Sequence, residues 1–199
     1  MRRELASLKK FKKSDFENVA KDMSLSFLQD KDRSIENTSL PSFIRAFDSY
    51  MNCFHIIPTQ DEFVWFYFSF FKQDLHGLEN KSKAVEARAR RAYPSIFRDE
   101  HLFAMLSESF DCHRSVVMDT NGIDCMVKLE KEDVFIHAFV NTKRSVSFRK
   151  QKDTRHDFKG RHVDFVLDPP PHKGTKVVNG MWLYSDYWKD VVGGLDNEA

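Results

Sequence analysis

"GIDCMVKLEKEDVFIHAFVNTKRS", residues 122–145, decides how this chain is read. Two short apolar stretches flank the charged run "EKED", and Asn121-Gly122 stands at the head of the first. An Asn-Gly pair beside alternating apolar residues is a strong hairpin signal. Alternation decides which side chains share a face: His137, Phe139, Asn141 and Lys143 point one way along the second strand. Antiparallel pairing through the charged turn is expected to bring Asp124, at the start of one strand, beside Asn141, at the end of the other.

The flanking segments complete a pattern. "HRSVVM" precedes the hairpin as a further short strand, and "PSIFRDEHLFAMLSESF" starts a helix at Pro94 that ends near Glu108. Downstream, the polar segment "SFRKQKDTRHDFKG" could form a helix and "RHVDFVLD" returns to a strand. After the "PPPHKG" break, "KVVNGMWLYS" supplies a last strand. The order is αβββαβ with one strand extra, which predicts an α+β protein with an α/β-like core and a small mixed sheet. The expected division is a helical region over 1–94 and a mixed-sheet region over 95–199, together one compact unit.

The first half reads as helices. Ser14 and Glu17 form a capping-box pattern ahead of Phe16, Val19, Ala20, Met23 and Phe27 at helical spacing. Pro41 suits the first turn of a second amphipathic helix. In "PTQDEFVWFYFSFFKQDL", Thr59 and Glu62 form another capping box, which favours a helix over the strand propensity of the aromatic run. A helix apolar on every side wants burial, either as a central core helix or as a homodimer or partner surface over residues 60–75.

Composition narrows the class. The chain has 199 residues, 41% hydrophobic and 31% charged, which reads as soluble and globular. The longest apolar run, Phe63 to Phe71, falls far short of the roughly 20 residues a membrane span needs, so no membrane partner is expected. Three cysteines at wide spacing form neither a disulfide framework nor a zinc pattern, which points to a reducing, cytoplasmic setting. The net charge of +1 hides basic stretches of +5 at residues 1–13, +4 at 81–91 and +6 at 141–161. Such patches fit a polyanion partner, and any one of them also fits a solvated face.

Phosphodiester hydrolysis needs a Lewis acid at the scissile phosphate and a nucleophilic water. Carboxylate oxygens hold Mg²⁺, which keeps several of its waters and acidifies them. A lysine can orient that water and neutralise developing charge. Asp124 and Glu108 are the candidate Mg²⁺ (or Mn²⁺) ligands, Lys143 the candidate lysine, and Asn141 a neutral oxygen that could assist. Arg144, Arg149, Lys150, Lys152 and Arg155 follow at once as candidate phosphate contacts, with Arg88, Arg90 and Arg91 as a second track. His137 is expected to pack or hydrogen-bond beside Phe139 rather than to act as a ligand. No phosphate-binding glycine loop and no G-x-S-x-G elbow is present.

With "GID" opening one strand and "NTK" closing the next, residues 95–168 resemble the PD-(D/E)XK nuclease superfamily, the restriction-endonuclease-like fold. The resemblance implies a metal-binding aspartate at Asp124, an acidic residue where this chain has Asn141, and the lysine at Lys143. It implies a metal-dependent nuclease acting on DNA, in a mobile-element or host-defence context. The alternatives are a catalytically silent nucleic-acid-binding module and a helical protein-interaction protein.

Overall fold

The computed structural model describes residues 11–30, 32–115, 117–118, 121–152 and 158–198, without the side chains of 148, 151, 152 and 196–198. The chain forms two compact units, Met1–Phe97 and Arg98–Ala199. It is an α+β protein, helical first and then a small mixed sheet, as expected.

The first unit carries α1 (Lys13–Asp22), α2 (Arg33–Glu36), α3 (Phe43–Phe54), α4 (Gln60–Phe70) and the start of α5 (Ser82–Ser107). Helix α1 begins one position before the expected Ser14 cap, where the Asp15 carboxylate accepts the Lys12 N–H at 2.8 Å. It stops at Asp22 instead of reaching Phe27. Beyond it the chain is extended, and the Ser26 N–H donates to Gln60 Oε1 at 2.8 Å, a tertiary bond in place of a helical one. The capping box of α4 is present: the Thr59 N–H donates to Glu62 Oε2 at 2.8 Å and the Glu62 N–H to Thr59 Oγ1 at 3.4 Å.

Helix α4 is not buried all round. Phe63, Val64, Phe66 and Tyr67 enter the core, whereas Trp65 is 60% and Phe70 40% exposed. The core is aromatic. The ring of Tyr93 lies 5.9 Å from Phe47, 5.6 Å from Phe63 and 5.8 Å from Phe97, and its hydroxyl donates to the Pro58 carbonyl at 2.7 Å. Burial pushes the Tyr93 and Tyr67 hydroxyls well above the usual tyrosine range, so both remain donors.

Pro94 was expected to start a helix. Instead α5 runs unbroken through it. A proline inside a helix leaves the carbonyl four residues back without its N–H. Here that carbonyl, of Arg90, accepts from Gln60 Nε2 at 3.0 Å, so a buried side chain replaces the lost bond.

The second unit holds a sheet in the order β1 (Asp111–His113), β2 (Cys125–Lys128), β3 (Asp133–Val140), β4 (Arg161–Leu167). The first three strands are antiparallel, and β3 and β4 are parallel, joined by α6 (Lys143–Lys152). The hairpin β5 (Thr175–Val178) and β6 (Met181–Tyr184) and the helix α7 (Tyr187–Glu198) follow. From α5 to β4 the order is the expected αβββαβ.

Three segments differ from expectation. The first strand ends on His113, the first residue of "HRSVVM", and Val117 and Met118 are helical rather than extended. "KVVNGMWLYS" is two strands, because Asn179 and Gly180 take positive φ of 47° and 78° and fold it into a tight hairpin. The basic helix starts at Lys143, earlier than the segment that was expected to form it.

One face of the sheet presents Cys125, Val127, Val134, Ile136, Phe165 and Leu167. They pack with Leu102, Met105 and Leu106 of α5 and with Trp188, Val192 and Leu195 of α7. The stacked Phe165 and Trp188 rings, 4.4 Å apart, anchor α7 on the sheet. Leu, Val and Phe side chains of this kind contribute about 1.5–3 kcal/mol each when fully buried. The opposite face carries Phe135, His137 and His162. Gly160 leads into β4 at φ 150°, and a Cβ there would lie 2.7 Å from both the Asp133 carbonyl and the Phe135 ring.

Candidate functional site

Asp124 occupies the last position before β2, and its N–H donates to the Ile136 carbonyl at 2.9 Å. Its Oδ2 accepts the Ala138 N–H at 2.6 Å, so the carboxylate takes the place of the next ladder carbonyl. A carboxylate held by a backbone donor has a fixed aim. The Arg114 Nε donates to the Asp124 carbonyl at 3.1 Å, while its Nη1 pairs with the buried Glu100 of α5. The guanidinium also lies over the Phe103 ring, 5.1 Å from its centre.

Asp99, beside Glu100 on α5, is an acidic residue near this site that sequence reasoning did not single out. Burial and then the charge of Asp124 push its carboxyl well above the usual carboxylate range, against the pull of Arg98 and Arg114. Burial opposes the charge on Arg114, but Glu100 and Asp99 outweigh it and keep the guanidinium protonated. Burial, followed by the Asp99 and Asp124 charges, likewise raises the hydroxyl of Tyr184. Burial, followed by Cys112, raises the thiol of Cys125, which is therefore a poor nucleophile. Of the two successive acids in "FRDEHLF", Glu100 is buried and Asp99 half-buried, a difference their sequence does not announce.

The expected set is only partly assembled. The register pairs Cys125 with Ile136, which sets Asp124 against His137. Asn141 is four residues farther along the strand line, about 13 Å away at strand rise. The expected meeting of Asp124 with Asn141 therefore does not occur. Asn141 instead donates to Asp168 Oδ1 at 2.6 Å. Glu108 lies past the end of α5 and accepts from Lys189 of α7 at 3.0 Å. It is nine residues beyond Asp99, about 13 Å along a helix axis. Lys143 does not end a strand. It is the first residue of α6, capped by Thr142, whose Oγ1 accepts the Ser145 N–H at 3.1 Å.

Lys143, Arg144 and Lys150 are exposed on α6, and Arg149 pairs with Asp164 at 2.7 Å. The Lys152 side chain and Arg155 lie outside the described residues. The second basic track is a correction. Arg88 binds the Ile35 and Thr38 carbonyls, Arg90 binds Glu86 and Asp61, and Arg91 binds Glu36. These guanidinium groups hold the first unit together.

His137 is enclosed, and its pKa is pushed down to about 4, first by burial. Its Nδ1 lies 2.7 Å from the Gly122 carbonyl and its Nε2 2.9 Å from Nδ1 of His162. The ring is thus enclosed and hydrogen-bonded, as expected, with its partners on the Gly122 turn and on His162 of β4.

Among the described residues, no cluster of three or more His, Cys, Asp or Glu side chains could hold a metal ion. Two carboxylates can suffice for Mg²⁺, which retains waters and takes further oxygens from substrate phosphates. Asp99 and Asp124 are the residues that would hold such an ion: Asp99 is raised first by burial and then by the charge of Asp124, which a divalent cation would offset. Among the described residues no helix is long and apolar enough to cross a membrane. No protein-family model, curated protein or solved structure matches the chain.

Proposed function

We propose that the second unit is a Mg²⁺-dependent phosphodiesterase of the PD-(D/E)XK type acting on DNA, with Asp124 and Asp99 as its metal-facing carboxylates. The observation that carries this is the Asp124 carboxylate, which stands at the head of the second strand and is aimed by the Ala138 N–H; Asp99 of α5, raised first by burial, also feels its charge. The αβββαβ order supports the same kinship. When bound, the metal supplies Lewis-acid polarisation and an acidified water. The Ala138 N–H fixes the aim of Asp124, and the Arg114–Glu100 pair braces the segment behind it. Lys143, Arg144 and Lys150 offer exposed charge to substrate phosphates, which makes affinity salt-sensitive. Lys143, well past His137 along the chain, serves the phosphate backbone in this scheme rather than the water at Asp124.

A second reading, a nucleic-acid-binding module without catalysis, is favoured by Arg98 and Arg114, whose charges already offset the carboxylate pair. Incubation with plasmid and single-stranded DNA, with Mg²⁺ or Mn²⁺, separates the two. Cleavage that vanishes in Asp124→Ala and Asp99→Asn supports the enzyme. Salt-dependent binding without cleavage in the unaltered protein leaves only the second reading.

A further inference from the structure

Helix α4 presents a run of rings to water. Phe54 of α3 is 47% exposed and joins Trp65 and Phe70 at the surface. Phe66, itself buried, ties the three together: its ring stacks on Phe70 at 5.3 Å and lies 5.9 Å from Phe54 and 6.4 Å from Trp65. They form one patch rather than scattered exposed residues. Aromatic side chains bury about 150–250 Å² each, so the three leave on the order of 300 Å² of ring surface in water. Contiguous apolar patches of that size are among the largest a monomer ordinarily shows, and they often serve an interface.

We propose that this face is the contact of a symmetric homodimer, in which α4 packs antiparallel on α4 of a second copy about a twofold axis at Phe66. The charges at the two ends of the patch select that occupant. Helix α4 carries no charge from Phe63 to Phe70. Glu62 stands one turn before Phe66 and Phe70 one turn after it, a span of about 12 Å along the axis. The exposed guanidinium of Arg45 lies over the Phe70 ring, 5.7 Å from its centre. The patch is acidic at one end and basic at the other. A twofold contact sets one residue on a second and that second on the first. Glu62 of each copy then faces the partner's Arg45, and both ends are matched at once. A partner of a single charge would satisfy one end and be repelled by the other.

The area agrees with a small dimer. Two patches bury about 600 Å² of ring surface, and with roughly 60% of an interface apolar the whole contact comes to about 1,000 Å². That reaches the lower bound for a specific contact and fits a pair that dissociates on dilution. This inference does not depend on the phosphodiesterase reading.

The test is sedimentation of the full chain from low to high micromolar concentration. The expected result is a mass that rises from one chain to two and stops there. Trp65→Ala should weaken association about 30-fold, as a central aromatic anchor does. Arg45→Glu sets two acids together at each end and should weaken it about tenfold. Adding Glu62→Gln, which keeps the capping pattern of α4, should restore part of that loss. Should a variant fail to fold, the emission of Trp65 in the unaltered chain decides: it moves to shorter wavelength as the mass doubles, with Trp65→Phe as the blank. A chain that stays single at high micromolar concentration overturns the proposal. So does association that grows past two chains, or a dimer indifferent to Trp65→Ala and Arg45→Glu.

Discussion

Acid should weaken the second unit through one side chain, His137. Its pKa is pushed down to about 4, because burial and the nearby charge of Arg149 penalise the imidazolium more than the Gly122 carbonyl and Asp164 favour it. The unfolded chain restores it to about 6.5. A group whose folded pKa is depressed gives its full stability above the unfolded value. That stability is lost as pH falls through the window from about 6.5 to 4. A separation of about 2.5 units is worth about 3 kcal/mol, a large share of the 5–15 kcal/mol that holds a domain together. Urea unfolding at successive pH values would measure it. Trp182 and Trp188 report on this unit in a Trp65→Phe background, which silences the exposed indole of the first. Carboxylates also titrate here, so the informative quantity is the difference between the protein and a His137→Asn variant. That variant cannot take up the proton, and its stability should fall less steeply, by up to about 1.4 kcal/mol per pH unit. Parallel curves for the two proteins would refute the enclosure of a neutral imidazole.

Other perturbations have defined outcomes. Asp99 has a raised pKa, so its ionised form opposes folding as pH rises above the usual carboxylate range. Asp99→Asn should therefore raise the thermal midpoint without Mg²⁺ and remove any gain that Mg²⁺ gives the unaltered protein. Gly160→Ala places a methyl 2.7 Å from backbone and ring at a positive φ, and should cost about 2–4 kcal/mol in chemical denaturation. Gln60→Leu leaves the Arg90 carbonyl without its donor, and should cost about 1–3 kcal/mol on the same measure. Replacing Lys150 with Ala should weaken DNA binding evenly across sequences and reduce the logarithmic salt slope by about 1, measured by fluorescence anisotropy.

Much of the fold was legible because local signals agreed with tertiary demand. The Thr59–Glu62 box, the apolar alternation of β3 and the αβββαβ order all follow from spacing. Failures occurred where a distant partner overrode a local rule. Pro94 reads as a helix start, but Gln60, remote in sequence, supplies the missing donor. Arg88, Arg90 and Arg91 look like a phosphate track, yet loop carbonyls and acids from elsewhere claim them. The hairpin itself was found but its register was not. Alternation fixes which face a residue takes, whereas the bond from Ala138 to Asp124 fixes which residue stands opposite. That one offset sets His137, not Asn141, opposite Asp124.

The sheet ends at β1, a three-residue strand whose exposed Asp111 and His113 pair with each other at 3.2 Å. So short and polar a margin gives an incoming chain few amides to grip and obliges it to bury charge. Strand addition at that side, the first step toward fibrous assembly, is thus discouraged by the native sequence. Lengthening β1 or replacing its ends with threonine would remove the safeguard.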